Sequence, residues 1–202
     1  MLVKFDFLKY DANGSLITQG RNDKMDSRTQ YYYDFENRLT TITFNNGSYQ
    51  VYKYNHAGKR MIVEKYIVNQ STPVGISYFV YDALRCNNVY EIHGTTVTRY
   101  VYMWPANEQI CSLTSVLSSL TTTYFHCDAL GSVIVTSNQQ GNITGTFKYD
   151  PFGNVLESSG TSVVYGFIGS LGVRDDQQTG LSLMGHRYYD PLVGRFIKGK
   201  LL

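Results

Sequence analysis

A Tyr-Asp step followed within a few residues by Gly or Asn recurs along this chain, and each copy obliges the backbone to reverse direction. Tyr10-Asp11-Ala12-Asn13-Gly14-Ser15-Leu16 opens the series. Tyr33-Asp34-Phe35-Glu36-Asn37-Arg38-Leu39 repeats the form, and Tyr54-Asn55-His56-Ala57-Gly58-Lys59-Arg60 is a third copy. Tyr81-Asp82-Ala83-Leu84 begins a fourth, and Tyr149-Asp150-Pro151-Phe152-Gly153-Asn154-Val155 is a later one. The early copies lie roughly 21 to 27 residues apart, a spacing typical of repeat architectures. An Asp after Tyr can accept a hydrogen bond from the backbone two residues on, and the following Asn or Gly tolerates the positive φ that closes the turn. Each unit therefore reads as a strand ending in Tyr, a tight turn, a second strand and a looser return.

The segments between turns alternate as strands do. In Tyr49-Gln50-Val51-Tyr52-Lys53-Tyr54 and Thr98-Arg99-Tyr100-Val101-Tyr102 every second side chain faces one side, and one face is expected to be buried. Asn45-Asn46-Gly47-Ser48 between two such runs is the strongest short hairpin signal. The 18 Tyr, with frequent Val, Ile and Thr, favour a pleated, half-buried surface, and the 18 Gly supply turns. In Ile110–Leu120 the apolar residues have helix-like spacing, but the Ser and Thr content favours a loosely ordered hairpin tip between the strands around Tyr100 and Tyr124. The expected fold class is all-β: tandem antiparallel hairpins, with the sheet left open. No break in composition divides the 202 residues, so they are expected to form a single segment, with hairpin repeats over 1–105 and a distinct later part over 124–197.

Composition excludes several functions. A net charge of +2 with scattered Lys and Arg lacks the footprint of a nucleic-acid binder. Cys86, Cys111 and Cys127 match no zinc or redox spacing, so neither metal nor cofactor is expected. No stretch approaches the roughly 18 apolar residues of a membrane helix, and Lys4 and Asp6 interrupt any signal-peptide core. The sequons at Asn13, Asn46, Asn69 and Asn142 fit chance in a chain rich in Asn, Gly and Ser.

The later motifs resemble the Rhs and YD-repeat family, which includes bacterial polymorphic toxins, toxin-complex C components and the teneurin shell. His126-Cys127-Asp128-Ala129-Leu130-Gly131-Ser132 is similar to the family's His-x-Asp-x-x-Gly-Ser segment, and Tyr149-Asp150-Pro151-Phe152-Gly153 to its Tyr-Asp-Pro-Phe-Gly segment. Thr179-Gly180-Leu181, Arg187-Tyr188-Tyr189-Asp190-Pro191 and Gly194-Arg195-Phe196-Ile197 resemble the close of the Rhs-associated core. The resemblance implies that these hairpins form part of a β-sheet spiralling into a hollow shell, from a larger secreted or cell-surface protein. Its expected partners are the rest of that shell or an enclosed effector. In the toxin branch the core cleaves its own chain, using aspartates of Asp-Pro motifs downstream of Gly-Arg-Phe. No such aspartates follow within these 202 residues, so self-cleavage is expected only of a longer form. Arg195 is the one matched residue linked to that chemistry, by resemblance alone.

The candidate chemistry within the chain is weaker than the geometry. His126-Cys127-Asp128 contains the parts of an activated thiolate, but strand neighbours point to opposite faces. Asp175 with Asp176, or Asp150 with Asp190, could form an aspartyl pair, yet these segments read as turns, and the structural role is favoured for Asp11, Asp34, Asp82, Asp128 and Gly131 as well. Gly166, Gly169 and Gly172 lack the Lys and the helix of a phosphate loop. Trp104 is the candidate for an exposed sugar-stacking aromatic in an alternative reading as a glycan- or receptor-binding module. The leading expectation is a structural, non-enzymatic shell segment.

Overall fold

The computed structural model describes residues 7–20, 28–82, 88–103, 108–116 and 119–198, with the stretch 102–116 described by its backbone. Within these residues the regular structure is strand, apart from a single 3-10 turn at Gly169–Leu171. No described helix is long and apolar enough to cross a membrane. The chain folds as two compact units: residues up to Tyr78 with Phe196 onward, and Phe79–Arg195.

In the first unit, β1 (Phe7–Tyr10), β2 (Leu16–Gly20), β3 (Arg28–Tyr33), β4 (Leu39–Thr43), β5 (Tyr49–Tyr54), β6 (Arg60–Tyr66) and the start of β7 (Gly75–Tyr81) form an antiparallel meander. Each strand pairs with the next in sequence. The register aligns Tyr31 with Ile42 and Ile42 with Gln50, then Tyr52 with Val63 and Val63 with Ser77. These residues are all buried. On the other face Tyr32, Thr41, Val51, Glu64 and Ile76 line up across the same strands, and none of them is fully buried. Alternation in β5 thus places Gln50 and Tyr52 in the core.

Two pairs of polar side chains in that core bond each other, as burial favours. The Tyr31 hydroxyl donates to Gln19 Oε1 at 2.6 Å, and the Tyr52 hydroxyl donates to Gln50 Oε1 at 2.9 Å. The guanidinium of buried Arg60 lies 5.6 Å from the centre of the Tyr52 ring.

The second unit contains β8 (Asn88–His93), β9 (Thr96–Met103), β10 (Glu108–Val116), β11 (Ser119–Cys127), β12 (Val133–Ser137), β13 (Ile143–Tyr149) and β14 (Val155–Gly160), again antiparallel in chain order. A smaller sheet follows, with β15 (Arg174–Asp176), β16 (Leu181–Met184) and β17 (Arg187–Asp190); β18 (Arg195–Phe196) ends the series. Neither sheet closes on itself. Within the expected loose tip at Ile110–Leu120 the described residues instead form a regular ladder, while 117–118 lie outside the described residues. Cys111 pairs with Tyr124 and the pairing continues to Val116 with Ser119. Ladder hydrogen bonds and the β-branched Thr and Val of these strands outweigh the local Ser and Thr preference for loops.

Candidate functional site

The repeated turns share one geometry. At Asp11 the backbone N–H donates to the Ser15 carbonyl at 2.9 Å, and the Gly14 N–H returns to the Asp11 carbonyl at 3.1 Å. The same pair of bonds closes the turns beginning at Asp34, Phe44, Asn55, Asp128, Asn138 and Asp150. In each the fourth residue has positive φ: Gly14, Asn37, Gly47, Gly58, Gly131, Gly141 or Gly153. This is a type I turn closed by a left-handed residue, and the ladder slips by one residue beside the Tyr10, Tyr33, Tyr54 and Tyr149 turns.

Except at Phe44, the side chain at the first position locks the turn. Asp11 Oδ1 accepts the N–H groups of Asn13 and Ser15 at 2.9 and 2.8 Å. Asp34 receives Glu36 and Arg38, Asp128 receives Leu130 and Ser132, and Asp150 receives Phe152 and Asn154 in the same way. Burial works against the Asp34 and Asp150 charges, but these bonds, with the Arg38 side chain at Asp34 and the Asn154 side chain at Asp150, outweigh it and hold both carboxyls below the usual range. Asn55 and Asn138 do the same job as amides. The turn at Asn138 escapes a search for Tyr because Ser137 precedes it; the Asn and the Gly three residues on were its readable signal.

The motif tyrosines have a separate task. The Tyr33 hydroxyl donates to the Leu16 carbonyl at 2.9 Å, and the Tyr54 hydroxyl to the Leu39 carbonyl at 2.6 Å. Each carbonyl belongs to the residue just past the preceding turn on the same side of the sheet. The Tyr33 hydroxyl also lies 3.4 Å from the Ile197 carbonyl, which accepts the Leu16 N–H at 2.6 Å. Burial, then Tyr31 and Asp11, push the Tyr33 phenol well above its usual range.

At Tyr189-Asp190-Pro191 the turn is one residue longer. The Gly194 N–H reaches the Asp190 carbonyl at 2.8 Å, and buried Asp190 Oδ1 accepts the Leu192 and Val193 N–H groups at 2.9 and 3.3 Å. Asp150 and Asp190 do not meet as a carboxyl pair. Asn154 Nδ2 donates both to Asp150 Oδ2 at 2.7 Å and to the Pro191 carbonyl at 2.9 Å, which ties the two turns together. Arg195 is exposed. Asp82 follows Tyr81 at the end of β7, while the rest of that copy and Trp104 lie outside the described residues.

His126 and Asp128 each have a partner of their own. The His126 ring nitrogen bonds the Ser137 hydroxyl at 2.8 Å, and the Asp128 carboxylate is held by its own turn. Asp175 and Asp176 belong to β15 rather than to a turn, and they part company: Asp176 accepts Arg174 Nη1 at 3.1 Å, whereas Asp175 lines a cavity. Among the described residues no three His, Cys, Asp or Glu side chains gather to hold a metal ion.

The most concentrated polar site was not visible in sequence. In the second unit Glu91, 1% exposed, accepts Arg174 Nε and Nη2 at 2.9 and 3.1 Å. Asn88 Nδ2 and the Tyr165 hydroxyl donate to the same carboxylate at 2.7 and 3.2 Å, and His93 Nε2 lies 3.2 Å away. Burial would raise the Glu91 pKa, but Arg174 and His93 overcome it and hold the carboxyl at about 2. The Phe79 ring lies under the Arg174 guanidinium at 5.0 Å, and Tyr100 meets Tyr165 edge to face. A cavity of about 230 Å³ adjoins this network, lined by Glu91, His93, Tyr100 and Tyr165 among others. A second, of about 350 Å³, lies among Phe147, Tyr149, Phe167 and Asp175. The buried pair is a structural tie: every Glu91 bond ends on another side chain of the chain.

Comparison with known proteins places the fold. The teneurin YD-shell family matches residues 3–201. The chain is 25% identical over 201 residues to the tRNA3(Ser)-specific nuclease WapA of Bacillus spizizenii, covering 96% of this chain and 8% of that protein. It is 26% identical over 215 aligned positions to the double-stranded DNA deaminase toxin A of Burkholderia cenocepacia, covering 94% of this chain and 15% of the toxin. The crystal structure of TcdB2-TccC3 has the same fold, with a TM-score of 0.64 at 14% identity over 95% of this chain and 12% of that one. The chain thus spans a small part of each relative. With a family model that matches residues 3–201, the chain belongs to the teneurin YD-shell family.

Proposed function

We propose that this chain is a non-catalytic wall segment of a larger secreted or cell-surface toxin-like protein, whose shell encloses an effector carried elsewhere in that protein. The observation that carries this reading is the use of the repeated polar side chains. The carboxylates and amides at the turn positions are spent on backbone N–H groups, and Tyr33 and Tyr54 are spent on strand carbonyls. The buried ionic cluster at Glu91 is likewise closed by its own neighbours. Side chains engaged in this way hold geometry and are not poised for proton transfer or nucleophilic attack. The two relatives named for a nuclease and a deaminase are far longer than this segment, which supports placing their activities outside it.

Two assays test the reading. The 202-residue chain alone should leave tRNA and double-stranded DNA unchanged. Cleavage or deamination that tracks with the purified chain would overturn the non-catalytic part. In the full reading frame, a region downstream of the shell should resist protease until the shell is unfolded. Immediate digestion of that region would overturn enclosure.

A further inference from the structure

Tyr149 departs from Tyr33 and Tyr54. Tyr33 and Tyr54 bond the carbonyl just past the preceding turn, and for Tyr149 the corresponding residue is Val133. No such bond is made there, and the backbone of Gly166 lies against the Tyr149 side chain. Its carbonyl accepts the Val133 N–H at 2.9 Å, and a Cβ on Gly166 would stand 2.5 Å from the Tyr149 hydroxyl oxygen. Among the described residues the Tyr149 hydroxyl makes no hydrogen bond, so the side chain is released from its structural task. It lines the cavity of about 350 Å³ in the second unit.

The Asp175 carboxylate lines the same cavity and is the only charged side chain among the lining residues. Its backbone N–H is used, donating to the Val164 carbonyl at 2.7 Å. The carboxylate itself has no hydrogen bond among the described residues. It lies close enough to Tyr149 that, after burial, its charge is the next cause pushing the phenol up to about 12. Phe147 and Phe167 supply aromatic wall, with the Phe167 ring centre 6.0 Å from that of Tyr149. Val155, Ser158 and Gln177 are exposed and form its rim.

A half-buried carboxylate without a partner is costly, and aromatic faces attract cations. A guest must bring hydrogen-bond donors and a positive charge. One carboxylate is too few for a hard divalent cation, which takes several oxygen ligands. The volume falls at the small end of organic-ligand sites, enough for an ammonium head on a short alkyl stem. We propose that this cavity binds an organic ammonium group, with the Asp175 carboxylate and the Tyr149 hydroxyl as acceptors and Phe147 and Phe167 as aromatic walls. The ammonium can belong to a free alkylamine or to a lysine side chain of a polypeptide.

The test is a calorimetric titration of the whole chain at pH 7.5 with n-hexylammonium and, separately, with 1-hexanol, which matches its stem without the charge. The amine should bind at least about tenfold more tightly, as a charged hydrogen bond in a partly desolvated site requires. Asp175→Asn should bring the amine down to the level of the alcohol while leaving the alcohol unchanged. Tyr149→Phe should weaken the amine several-fold. Equal binding of amine and alcohol by the unaltered chain overturns the proposal, whether or not either variant folds, and so does amine binding that survives Asp175→Asn. Nα-acetyl-lysine methylamide distinguishes the sources: tighter binding than hexylammonium assigns the site to a lysine side chain, weaker binding to a free amine. Binding should also fall as the pH drops through the Asp175 value of about 6, which burial and Asp176 raise and Arg174 lowers.

Discussion

Glu91 and Arg174 stand 83 residues apart in the chain and meet through two hydrogen bonds of 2.9 and 3.1 Å in the interior of the second unit. The contact joins β8 to β15. It is built so that neither charge is stranded: Asp176 takes the remaining Arg174 nitrogen, and Asn88 and Tyr165 fill the carboxylate. Such a pair adds little net stability over an apolar replacement, yet it is severe to break from one side.

Arg174→Met should therefore cost about 3–5 kcal/mol, because it leaves a carboxylate buried without its cation. The double variant Arg174→Met with Glu91→Leu should recover much of that loss. Urea midpoints of the two single variants and the double variant check this. Equal losses in the single and double variants would mean that the pair acts through packing rather than charge.

Glu91 also sets an acid limit. Its folded value of about 2 lies below the unfolded value of 4.5, so its contribution is complete above about pH 4.5 and is lost as the pH falls through about 2. The size of that shift corresponds to about 3 kcal/mol. Stability measured from pH 7 to pH 2 should decline over this window, and Glu91→Gln should flatten the decline.

Asp175 carries the opposite sign. Burial, then Asp176, raise its carboxyl to about 6 in the folded chain, above an unfolded value of 3.8. The protonated form is favoured by folding, so stability is greatest below about pH 4 and is lost as the pH rises through about 6. Asp175→Asn should stabilise the chain at pH 7 by about 1–2 kcal/mol, allowing for solvent screening, and the gain should vanish near pH 4. Thermal melts at the two pH values provide the measurement.

The turns offer a natural exchange. Because Asn55 and Asn138 hold the same position as Asp11, an amide oxygen suffices to accept the two N–H groups. Asp11→Asn should be within about 0.5 kcal/mol of neutral, whereas Asp11→Ala should cost about 1 kcal/mol as both bonds are lost. Chemical denaturation of the two variants separates a need for an oxygen acceptor from a need for charge.

The legible part of this fold is the part with local causes. Asp11, Asp34 and Asp150 bond backbone two and four residues away, so residue type and spacing announce the turns, and period-two alternation announces the buried face at Gln50 and Tyr52. Contacts between distant segments left no such trace. Glu91 looks like any charged residue in a strand until Arg174 arrives from the small sheet, and Asp175 looks like half of a polar turn until β15 pairs with β16 and turns it toward a cavity. The ladder at Cys111–Val116 likewise owes its order to the strands on either side of it.

Two glycines in equivalent turns separate backbone strain from close packing. Gly141 and Gly153 both have positive φ, at 83° and 95°, a region where a side chain costs about 1–2 kcal/mol. A Cβ at Gly141 would meet nothing within 4 Å, whereas at Gly153 it would lie 2.6 Å from the Phe167 ring. Gly141→Ala should therefore lose only the conformational term, and Gly141→Asn still less, because Asn tolerates this region and Asn37 already adopts it. Gly153→Ala must also displace Phe167, so its loss should exceed that of Gly141→Ala by a further 1–3 kcal/mol or so, the usual range for overpacking. Urea denaturation of the three variants gives the comparison, and equal losses at the two alanine sites would show that the Asp150 turn does not depend on its contact with Phe167.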